Sequence, residues 1–333
     1  MNILVLTFGG PHTASTRYRI LQYQEVLAAA GISCDFVPAK GFRDFAALSR
    51  YDAVLLQKTL LSCRVVRKLR LGTKRLLYDA DDLAWLSPGK RHGLFTRIRV
   101  EWRLKRIAAA ADLCMAANAV IAADLAARGA TVTLLPMALD GRVWQDPVKD
   151  AGLVVGWSGA PHNLVFLRQI LPQLREVQRR FPEVQWLVHC GVDPGFTDFN
   201  YSHEPFQPGR EHEVVRRFHV GLLPLPDDPF VRGKSPIKAL QYFASRVAVA
   251  GSPVGATGEI IRDEENALCV NGGDQWVTAL ERLLTDAALR QRLAAAGRRS
   301  FEERNDLPQV AGSLILALRG PVQPDSGNGP ATR

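Results

Sequence analysis

Cysteine is scarce and scattered in this chain. The five cysteines lie far apart, and none belongs to a C-x-x-C pair. Disulfide frameworks need an even set of cysteines and structural zinc sites need closely spaced ones, so neither is expected here. We expect reduced core thiols in a cytosolic protein, with no bound metal and no cofactor. The five are Cys34, Cys63, Cys114, Cys190 and Cys269.

Long apolar runs are also missing. No window reaches about eighteen consecutive apolar residues, so the sequence predicts no membrane-spanning helix. Residues 2–8 have the pattern of a strand, without the basic stretch and small-residue cleavage site of a signal peptide, which we therefore do not expect. The expected location is the cytoplasm, with peripheral attachment to the inner face of the membrane as an alternative.

Positive charge is concentrated in one stretch. Between residues 60 and 110, thirteen Lys and Arg stand against four acids, and this excess equals the net charge of +9 of the whole chain. A local basic excess indicates an anionic partner. The charge alone leaves three alternatives open, which are a membrane surface, a phosphate-bearing acceptor and a nucleic acid.

Short apolar runs alternate with helical patterns in both halves of the chain, which predicts βαβ units and parallel sheets. The fold class is therefore α/β, with two doubly wound, Rossmann-like domains facing a cleft. Helical patterns cover residues 16–30, 94–110 and 119–127. The strands are predicted at 3–8, 33–37, 53–57, 75–79, 113–116 and 131–136, and then at 153–157, 184–190, 220–224, 247–250 and 267–270.

The 333 residues suit two domains. Apolar periodicity stops at residues 140–152, where Asp, Gly, Pro and Lys take over. We predict an N-terminal domain at 1–145, a C-terminal domain at 150–300 and a helix at 301–318 that returns to the first domain. Residues 319–333 are rich in Gly and Pro, and we expect a disordered tail.

The segment 219–261 holds the strongest chemical signal. A strand at 220–224 is followed by a polar loop and then by Lys234-Ser235-Pro236 at the start of a helix, with Ser235 as the expected N-cap and Pro236 as the first helical residue. Lys234 and Lys238 would flank the positive end of the helix dipole, where cations are unfavourable. Two interpretations are open: an anion such as a phosphate occupies the site, or both lysines lie on a solvated turn.

Residues 233–261, with the strand and loop 248–255 and Glu-Ile-Ile at 259–261, resemble the donor-binding region of GT-B glycosyltransferases, in particular the GT4-like group. Residues 51–57 and 77–82 resemble acceptor-domain strands of that group, and 111–140 resemble its run into the linker. Gly156-Trp157-Ser158-Gly159 resembles the opening of its second domain. The likeness covers roughly residues 1–318 and is carried by the order of these motifs.

This resemblance implies an enzyme that transfers a sugar from a UDP- or GDP-sugar co-substrate, with retention of configuration and without a metal. The acceptor would be a surface polysaccharide or a lipid-linked glycan precursor held by the N-terminal domain. Arg232, Lys234 and Lys238 would stabilise the leaving nucleoside diphosphate. The implied donor-binding residues are Trp157, Ser158, Gly159, His162, Asn163, Gln241, Gly255, Thr257 and Glu259.

The chain departs from the group at one place. Many GT4-like enzymes carry two glutamates eight positions apart that contact the sugar and the ribose, and the matching positions here are Gly233 and Gln241. The sequence is closer to a GK…KaLQYMA version of the motif, and Gln241 can still bond a ribose hydroxyl. The departure leaves a second hypothesis open, which is a catalytically inactive GT-B-shaped nucleotide-binding or scaffold protein.

The acceptor side is predicted from two segments. Gly9 and Gly10 follow the first strand, and Arg17 and Arg19 lie in the first turns of the next helix, resembling an RyR signature of the same subgroup. Residues 79–82 read D-A-D-D at a strand end. The interpretation we favour is that Asp81 and Asp82 line the acceptor side of the cleft; the alternative is the D-x-D metal site of the GT-A fold.

The predicted helix Leu94–Ala110 carries Arg99, Arg103 and Arg106 beside an apolar stripe of Phe95, Ile98 and Trp102. Basic residues next to aromatic ones suit an anionic membrane surface. The alternative is a solvated face beside a stripe that faces the core. No aromatic–basic motif of a nucleic-acid-binding module is present, so we expect no nucleic acid partner.

Overall fold

The computed structural model describes residues 1–83, 85–86, 93–144, 148–149 and 151–320. The predicted tail beyond residue 320 and most of the predicted linker at 145–150 lie outside these ranges. Within them, no helix combines the length and the apolar character that crossing a bilayer requires.

The first half forms a six-stranded sheet in which every pairing is parallel. Its strands are β1 (Asn2–Thr7), β2 (Ser33–Pro38), β3 (Ala53–Gln57), β4 (Leu76–Ala80), β5 (Leu113–Ala116) and β6 (Val132–Leu134). The helices are α1 (Ala14–Arg19), α2 (Gln24–Ala29), α3 (Cys63–Gly72), α4 (Leu94–Ala110) and α5 (Ala119–Ala126), with short 3-10 turns at Leu21–Tyr23 and Ala46–Arg50.

The second half repeats this plan with a second parallel sheet of six strands. Its strands are β7 (Val154–Ser158), β8 (Gln185–Cys190), β9 (Ser202–Pro205), β10 (Val220–Leu223), β11 (Ala248–Gly251) and β12 (Leu268–Cys269). A 3-10 turn (Pro161–Asn163) precedes α6 (Leu164–Gln169), and then come α7 (Leu171–Arg180), α8 (Glu211–Val215), α9 (Pro229–Arg232), α10 (Ile237–Ala244), α11 (Ala256–Ile260), α12 (Gln275–Thr285), α13 (Ala287–Arg304) and α14 (Leu307–Arg319).

The strand orders predict where two binding crevices lie. The first sheet runs β2-β1-β3-β4-β5-β6, and the second runs β12-β11-β10-β7-β8-β9. In open α/β sheets ligands bind beyond the carboxyl ends of the strands, where the strand order reverses. These reversals lie between β1 and β3 in the first sheet and between β7 and β10 in the second. The loops after these four strands are therefore the expected site.

The last helix of the described residues, α14, packs on the first domain. Helix α14 buries Leu307, Val310 and Leu314 in one apolar cluster with Ile3 and Val5 of β1. Asp306 caps this helix, and its carboxylate also accepts a hydrogen bond from the backbone of Gly141 at 2.9 Å. The C-terminal segment thus fastens the region between the two sheets to the first domain.

The predicted fold class is confirmed, one local prediction is wrong, and one strand was missed. The helix predicted at 16–30 is interrupted at Ile20, whose backbone leaves the helical region (φ −144°) while Arg19 and Ile20 turn into the core. Strand β9 was not predicted. It is a polar edge strand with no buried residue, so it lacks the apolar pattern that marks the other strands.

Candidate functional site

A cavity of about 380 Å³ lies between the two sheets at their carboxyl edges. It is bounded by α1 and the residues after β4 in the first domain, by the loops after β7 and β10 in the second, and by the start of α10. The predicted residues that line it are Asp81, Asp82, Trp157, Ser158, Gly159, His162, Asn163, Lys234, Lys238, Gln241 and Thr257.

Lys234 and Lys238 both contribute to this cavity, and their hydrogen-bond partners are neutral. Lys234 Nζ donates to Asn163 Oδ1 at 2.6 Å. Lys238 Nζ donates to Ser158 Oγ at 3.1 Å and to Gln241 Oε1 at 2.9 Å. Burial lowers the pKa of each lysine to about 8, although Asp82 opposes the shift at Lys234 and Glu211 opposes it at Lys238. Two ammonium groups with neutral partners leave a cleft that favours an anion.

Ser158 and His189 extend this network below the cavity. Ser158 Oγ lies 3.0 Å from His189 Nδ1. Burial, assisted by the charge of Lys238, lowers the pKa of His189 to about 4, so its ring is neutral at pH 7. An ammonium group only donates hydrogen bonds, so the Ser158 hydroxyl accepts from Lys238 and is free to donate to the ring. His189 therefore orients Ser158 rather than adding a charge.

The start of α10 differs from the sequence prediction. Pro236 is the N-cap, the helix begins at Ile237, and no side chain caps it. Ser235, the predicted cap, instead donates its hydroxyl to the backbone oxygen of Asp81 in the first domain. The prediction failed because spacing along one segment does not reveal a partner from the other domain.

Three predicted donor-side residues lie away from the cavity. Arg232 is exposed and pairs with Asp227, with Nε 2.6 Å from Oδ1. Arg232 and Gly255 line a neighbouring cavity of about 580 Å³, and Glu259 is exposed on α11. The grouping of Arg232 with Lys234 and Lys238 was therefore wrong, because α9 ends at Arg232 and the chain turns between them.

Asp81 and Asp82 line the cavity from the first domain, and a lysine holds them together. Lys58 Nζ lies 3.0 Å from Asp81 Oδ1 and 2.9 Å from Asp82 Oδ2. Lys58 follows β3 directly, and its φ of +27° is a conformation that residues other than glycine rarely adopt. The described residues contain no group of three or more side chains suited to hold a metal ion. Lys58 thus occupies the place that the D-x-D alternative assigned to a cation.

Burial raises the pKa of Asp82, and the neighbouring Asp81 adds to the shift, while Lys58 opposes it. Asp82 Oδ1 is buried without a hydrogen-bond partner. A hydroxyl group of a bound molecule is one partner that would satisfy this oxygen.

The predicted acceptor residues near the N-terminus separate into two groups. Arg17 reaches across the cleft to Glu211 in α8. Arg19 is only 3% exposed, and it bonds Asp79 and the backbone oxygen of Leu135. Arg19 was therefore wrongly predicted as an acceptor ligand: it joins α1 to the end of β4.

Gly9 and Gly10 lie on the loop before α1, whereas Ser15 and Tyr18 of α1 line the cavity. A Cβ on Gly9 would lie 2.3 Å from Thr13 Oγ1, so this glycine permits the turn into the helix. The cavity-facing groups of this segment are thus on the helix rather than at the glycine pair.

Several contacts that join the two domains were not predicted. Gln241 Nε2 donates to Tyr18 Oη at 3.0 Å, and Asn118 Nδ2 donates to the backbone oxygen of Gly233 at 3.2 Å. Glu211 had no signal in the sequence, because residues 191–215 carry little apolar pattern. Tyr18 had one, since it lies between the two arginines of the predicted motif.

The three arginines of the predicted basic stripe on α4 differ in exposure. Arg99 and Arg106 are exposed, whereas Arg103 is half-buried and donates to the backbone oxygen of Leu60 at 3.1 Å. Only the first two remain available to an anionic surface through their full guanidinium groups.

No protein-family model and no curated protein sequence matches the chain. Solved structures do. A sucrose-phosphate synthase from Thermosynechococcus elongatus matches with a TM-score of 0.72 and 18% identity, over 96% of this chain and 98% of that chain. HepE from Anabaena in complex with UDP-glucose matches with a TM-score of 0.67 and 13% identity, over 96% and 99%.

A UDP-forming α,α-trehalose-phosphate synthase from Burkholderia xenovorans matches with a TM-score of 0.61 and 17% identity, over 83% of this chain and 77% of that chain. At these identities the likeness concerns the fold. The chain therefore has the GT-B fold of these glycosyltransferases, with two Rossmann-like domains facing a cleft.

Proposed function

We propose that the protein is a GT4-like glycosyltransferase that moves a sugar from a nucleotide sugar, a UDP- or GDP-sugar, to an acceptor held by the N-terminal domain. The acceptor class is a surface polysaccharide or a lipid-linked glycan precursor. One observation carries the proposal: Lys234 and Lys238, each bonded to neutral groups, face a cavity between two Rossmann-like sheets.

The two lysines suit a diphosphate for electrostatic reasons. Burial disfavours their charged forms, and a bound anion would offset this effect. In the transition state negative charge develops on the departing nucleoside diphosphate. Fixed ammonium groups stabilise that charge without reorganising, which lowers the barrier. Catalysis of this kind needs no metal, and we propose a metal-independent, retaining reaction.

The loop after β7 is the proposed donor site. Trp157, Ser158 and Gly159 border the cavity beside the lysines, and His162 and Asn163 border it from the following turn. Gln241 would bond the ribose, and Thr257 lies at the same cavity. Gly255 and Glu259 would contribute only through the adjoining loop. The acceptor would meet Asp81 and Asp82 from the opposite domain.

The fold likeness supports the donor class, since one structure of the same fold was determined with UDP-glucose bound. Thermal stabilisation by UDP, GDP, ADP and TDP tests the donor site, because a ligand that binds only the folded protein raises its Tm. We expect one nucleotide to raise the Tm equally with and without EDTA. Lys234→Gln should abolish the shift, and Lys74→Gln, at an exposed lysine, should keep it.

The second candidate is a nucleotide-binding protein of the same fold without transfer. Gly233 favours it: a Cβ at this position would lie 2.3 Å from Leu83 Cγ, so the acid found here in many GT4-like enzymes does not fit beside Leu83. The two candidates are separated by incubating the protein with acceptor extract and the sugar derivative of the nucleotide that raises the Tm. Release of nucleoside diphosphate supports the transferase. Tight binding without release supports the binding protein, and no Tm shift with any nucleotide contradicts both.

A further inference from the structure

Helix α4 has two apolar faces, of which one points to solvent. Leu104 and Ile107 are buried in the core of the first domain. Phe95, Ile98 and Trp102 lie on the other side and are 88%, 52% and 61% exposed. Their spacing of three and then four residues places them on one side of the helix. We call these three residues the outer face of α4.

Positive charge surrounds the outer face. At about 100° per residue, Arg99 and Arg106 fall beside Phe95 on the helix surface, and Lys105 falls on the other flank. The only acid of the helix, Glu101, is engaged by Arg128, with Nη2 2.9 Å from Oε2. The adjacent helix α3, which packs on α4, adds further exposed cations. These are Arg64, Arg67 and Lys68.

The charge decides between two occupants of this face. A second copy of the chain in a two-fold dimer would set the same surface against itself and bring Arg99 and Arg106 near their own copies. Like charges in such a contact repel. An anionic bilayer instead offers apolar depth for Phe95 and Trp102 and negative headgroups for the surrounding arginines.

We propose that the outer face of α4 docks the first domain onto an anionic lipid bilayer. Phe95, Ile98 and Trp102 enter the boundary between headgroups and acyl chains, and Arg99 and Arg106 contact lipid phosphates. The helix lies in the plane of the interface and does not span the bilayer.

The docked orientation would bring the cleft close to the lipid. Strand β4 leads to Asp81 and Asp82 at the carboxyl edge of the sheet, and α4 runs back from that edge. Its first turns, which carry Phe95 and Ile98, therefore lie on the side of the acceptor residues. The docking proposal depends on the exposed residues of α4 and its surroundings. It does not depend on the proposed transfer reaction.

Vesicle co-sedimentation tests the docking with the full chain and neither donor nor acceptor. We expect the protein to pellet with vesicles of phosphatidylcholine mixed with phosphatidylglycerol and to stay in solution with phosphatidylcholine alone. Raised salt should weaken the binding, because the arginines act through screened charge. Replacing Arg99 and Arg106 by glutamine should weaken it about fivefold for each arginine removed.

Trp102 supplies a second readout. The other five tryptophans, at positions 85, 144, 157, 186 and 276, are all at most 5% exposed. Brominated acyl chains quench fluorescence only at short range, so quenching reports Trp102 in the bilayer. We expect quenching in the wild-type protein and its loss in Trp102→Phe, which keeps an apolar ring for binding.

Phe95→Ser should reduce vesicle binding at least tenfold, while the melting temperature and circular dichroism stay those of the wild type. Leu316→Ser, at an exposed leucine of α14, and Arg299→Gln, at an exposed arginine of α13, are the matched controls and should bind normally. Three results would overturn the proposal: no binding to anionic vesicles, binding that Phe95→Ser leaves intact, or no quenching of Trp102. A dimer that Phe95→Ser dissociates, without vesicle binding, would identify a second copy as the occupant.

Discussion

Arg17 of the first domain and Glu211 of the second form an ion pair across the cleft, with Arg17 Nη1 3.2 Å from Glu211 Oε2. The Glu211 side chain is only 3% exposed and that of Arg17 is 17% exposed. Burial raises the pKa of Glu211, but the hydrogen bonds and charge of Arg17 outweigh it and lower the pKa below its ordinary value. The pair therefore links the two domains. The Glu211 carboxylate can regain contact with water only if the two domains move apart.

Arg17→Met should destabilise the protein by about 3 kcal/mol, because it leaves Glu211 buried without its partner. We also expect a more open cleft, seen as a larger radius of gyration in X-ray scattering. Replacing both residues, as Arg17→Met with Glu211→Leu, should restore part of the stability. Arg142→Met, at a 71% exposed arginine that pairs with Asp140 and Glu25, should change the free energy of unfolding by less than about 1 kcal/mol.

Acid should weaken the same contact. The pKa of Glu211 is lowered in the folded protein, so its contribution to stability is complete above the ordinary value of 4.5 and is lost as pH falls further. Scattering in a series from neutral to acidic pH should therefore show the cleft opening below pH 4.5. Glu211→Gln should remove this step. A step that persists in Glu211→Gln would assign it to another group.

The repeated alternation of strands and helices was sufficient to predict the fold, because a parallel strand buried on both faces is a short apolar run such as residues 53–57. The lysines near the start of α10 were also visible, since their chemistry and spacing lie in one segment. The helix start itself was not. Ser235 bonds Asp81, which is 154 positions away in the sequence.

The same limit explains the contacts between the domains that were missed. Arg17 and Glu211 are 194 positions apart, and Gln241 and Tyr18 are 223 apart. Pairs of this kind depend on how two domains face each other, and no local spacing encodes that. Arg19 was assigned to the acceptor by its place in a motif, whereas its burial beside Asp79 became visible only in the folded chain.

Nucleoside diphosphate binding should weaken above pH 8. The pKa values of Lys234 and Lys238 are lowered to about 8 by burial, and the protonated forms bind the anion. The diphosphate stays fully ionised above about pH 7, so the change comes from the protein. Calorimetric affinities from about pH 7 to pH 9.5 should fall about tenfold per pH unit for each lysine that loses its proton.

Lys234→Arg distinguishes the contributions of the two lysines to this pH dependence, because arginine keeps its charge throughout this range. It should reduce the slope of affinity against pH by about half. In the free protein the sign is opposite: the lysine pKa rises from about 8 to 10.5 on unfolding, so the free energy of unfolding increases with pH between these values. A flat affinity profile would remove both lysines from the diphosphate site.

Gly255→Ala should destabilise the loop before α11. The φ of Gly255 is +51°, and a Cβ there would lie 2.1 Å from the backbone oxygen of Arg232. The overlap involves backbone atoms, which cannot rotate away, so we expect a loss of about 3 kcal/mol in urea unfolding. Gly10→Ala is the control, because no atom lies within 4 Å of its added Cβ, and it should change stability by less than about 0.5 kcal/mol. Equal stability of the two variants would contradict the backbone contact.

Lys58→Met should destabilise the protein by about 3 to 5 kcal/mol at pH 7, because it leaves the buried carboxylate of Asp81 and the partly buried one of Asp82 without their cation. Burial already raises the pKa of Asp82, and loss of the opposing charge of Lys58 would raise it further. The deficit relative to wild type should therefore shrink as pH falls and Asp82 takes up a proton.

Divalent cations give the same substitution a second readout. Lys58 Nζ lies within 3.0 Å of both carboxylates, so Mg²⁺ should not raise the Tm of the wild-type protein. In Lys58→Met the two freed carboxylates offer Mg²⁺ oxygen ligands, and the metal should recover part of the lost stability. Lys74→Met, at an exposed lysine 3.6 Å from Asp52, should show neither the loss nor the recovery. A wild-type Tm that rises with Mg²⁺ would mean that the cation displaces Lys58, and the D-x-D assignment would then replace the lysine-bridged one.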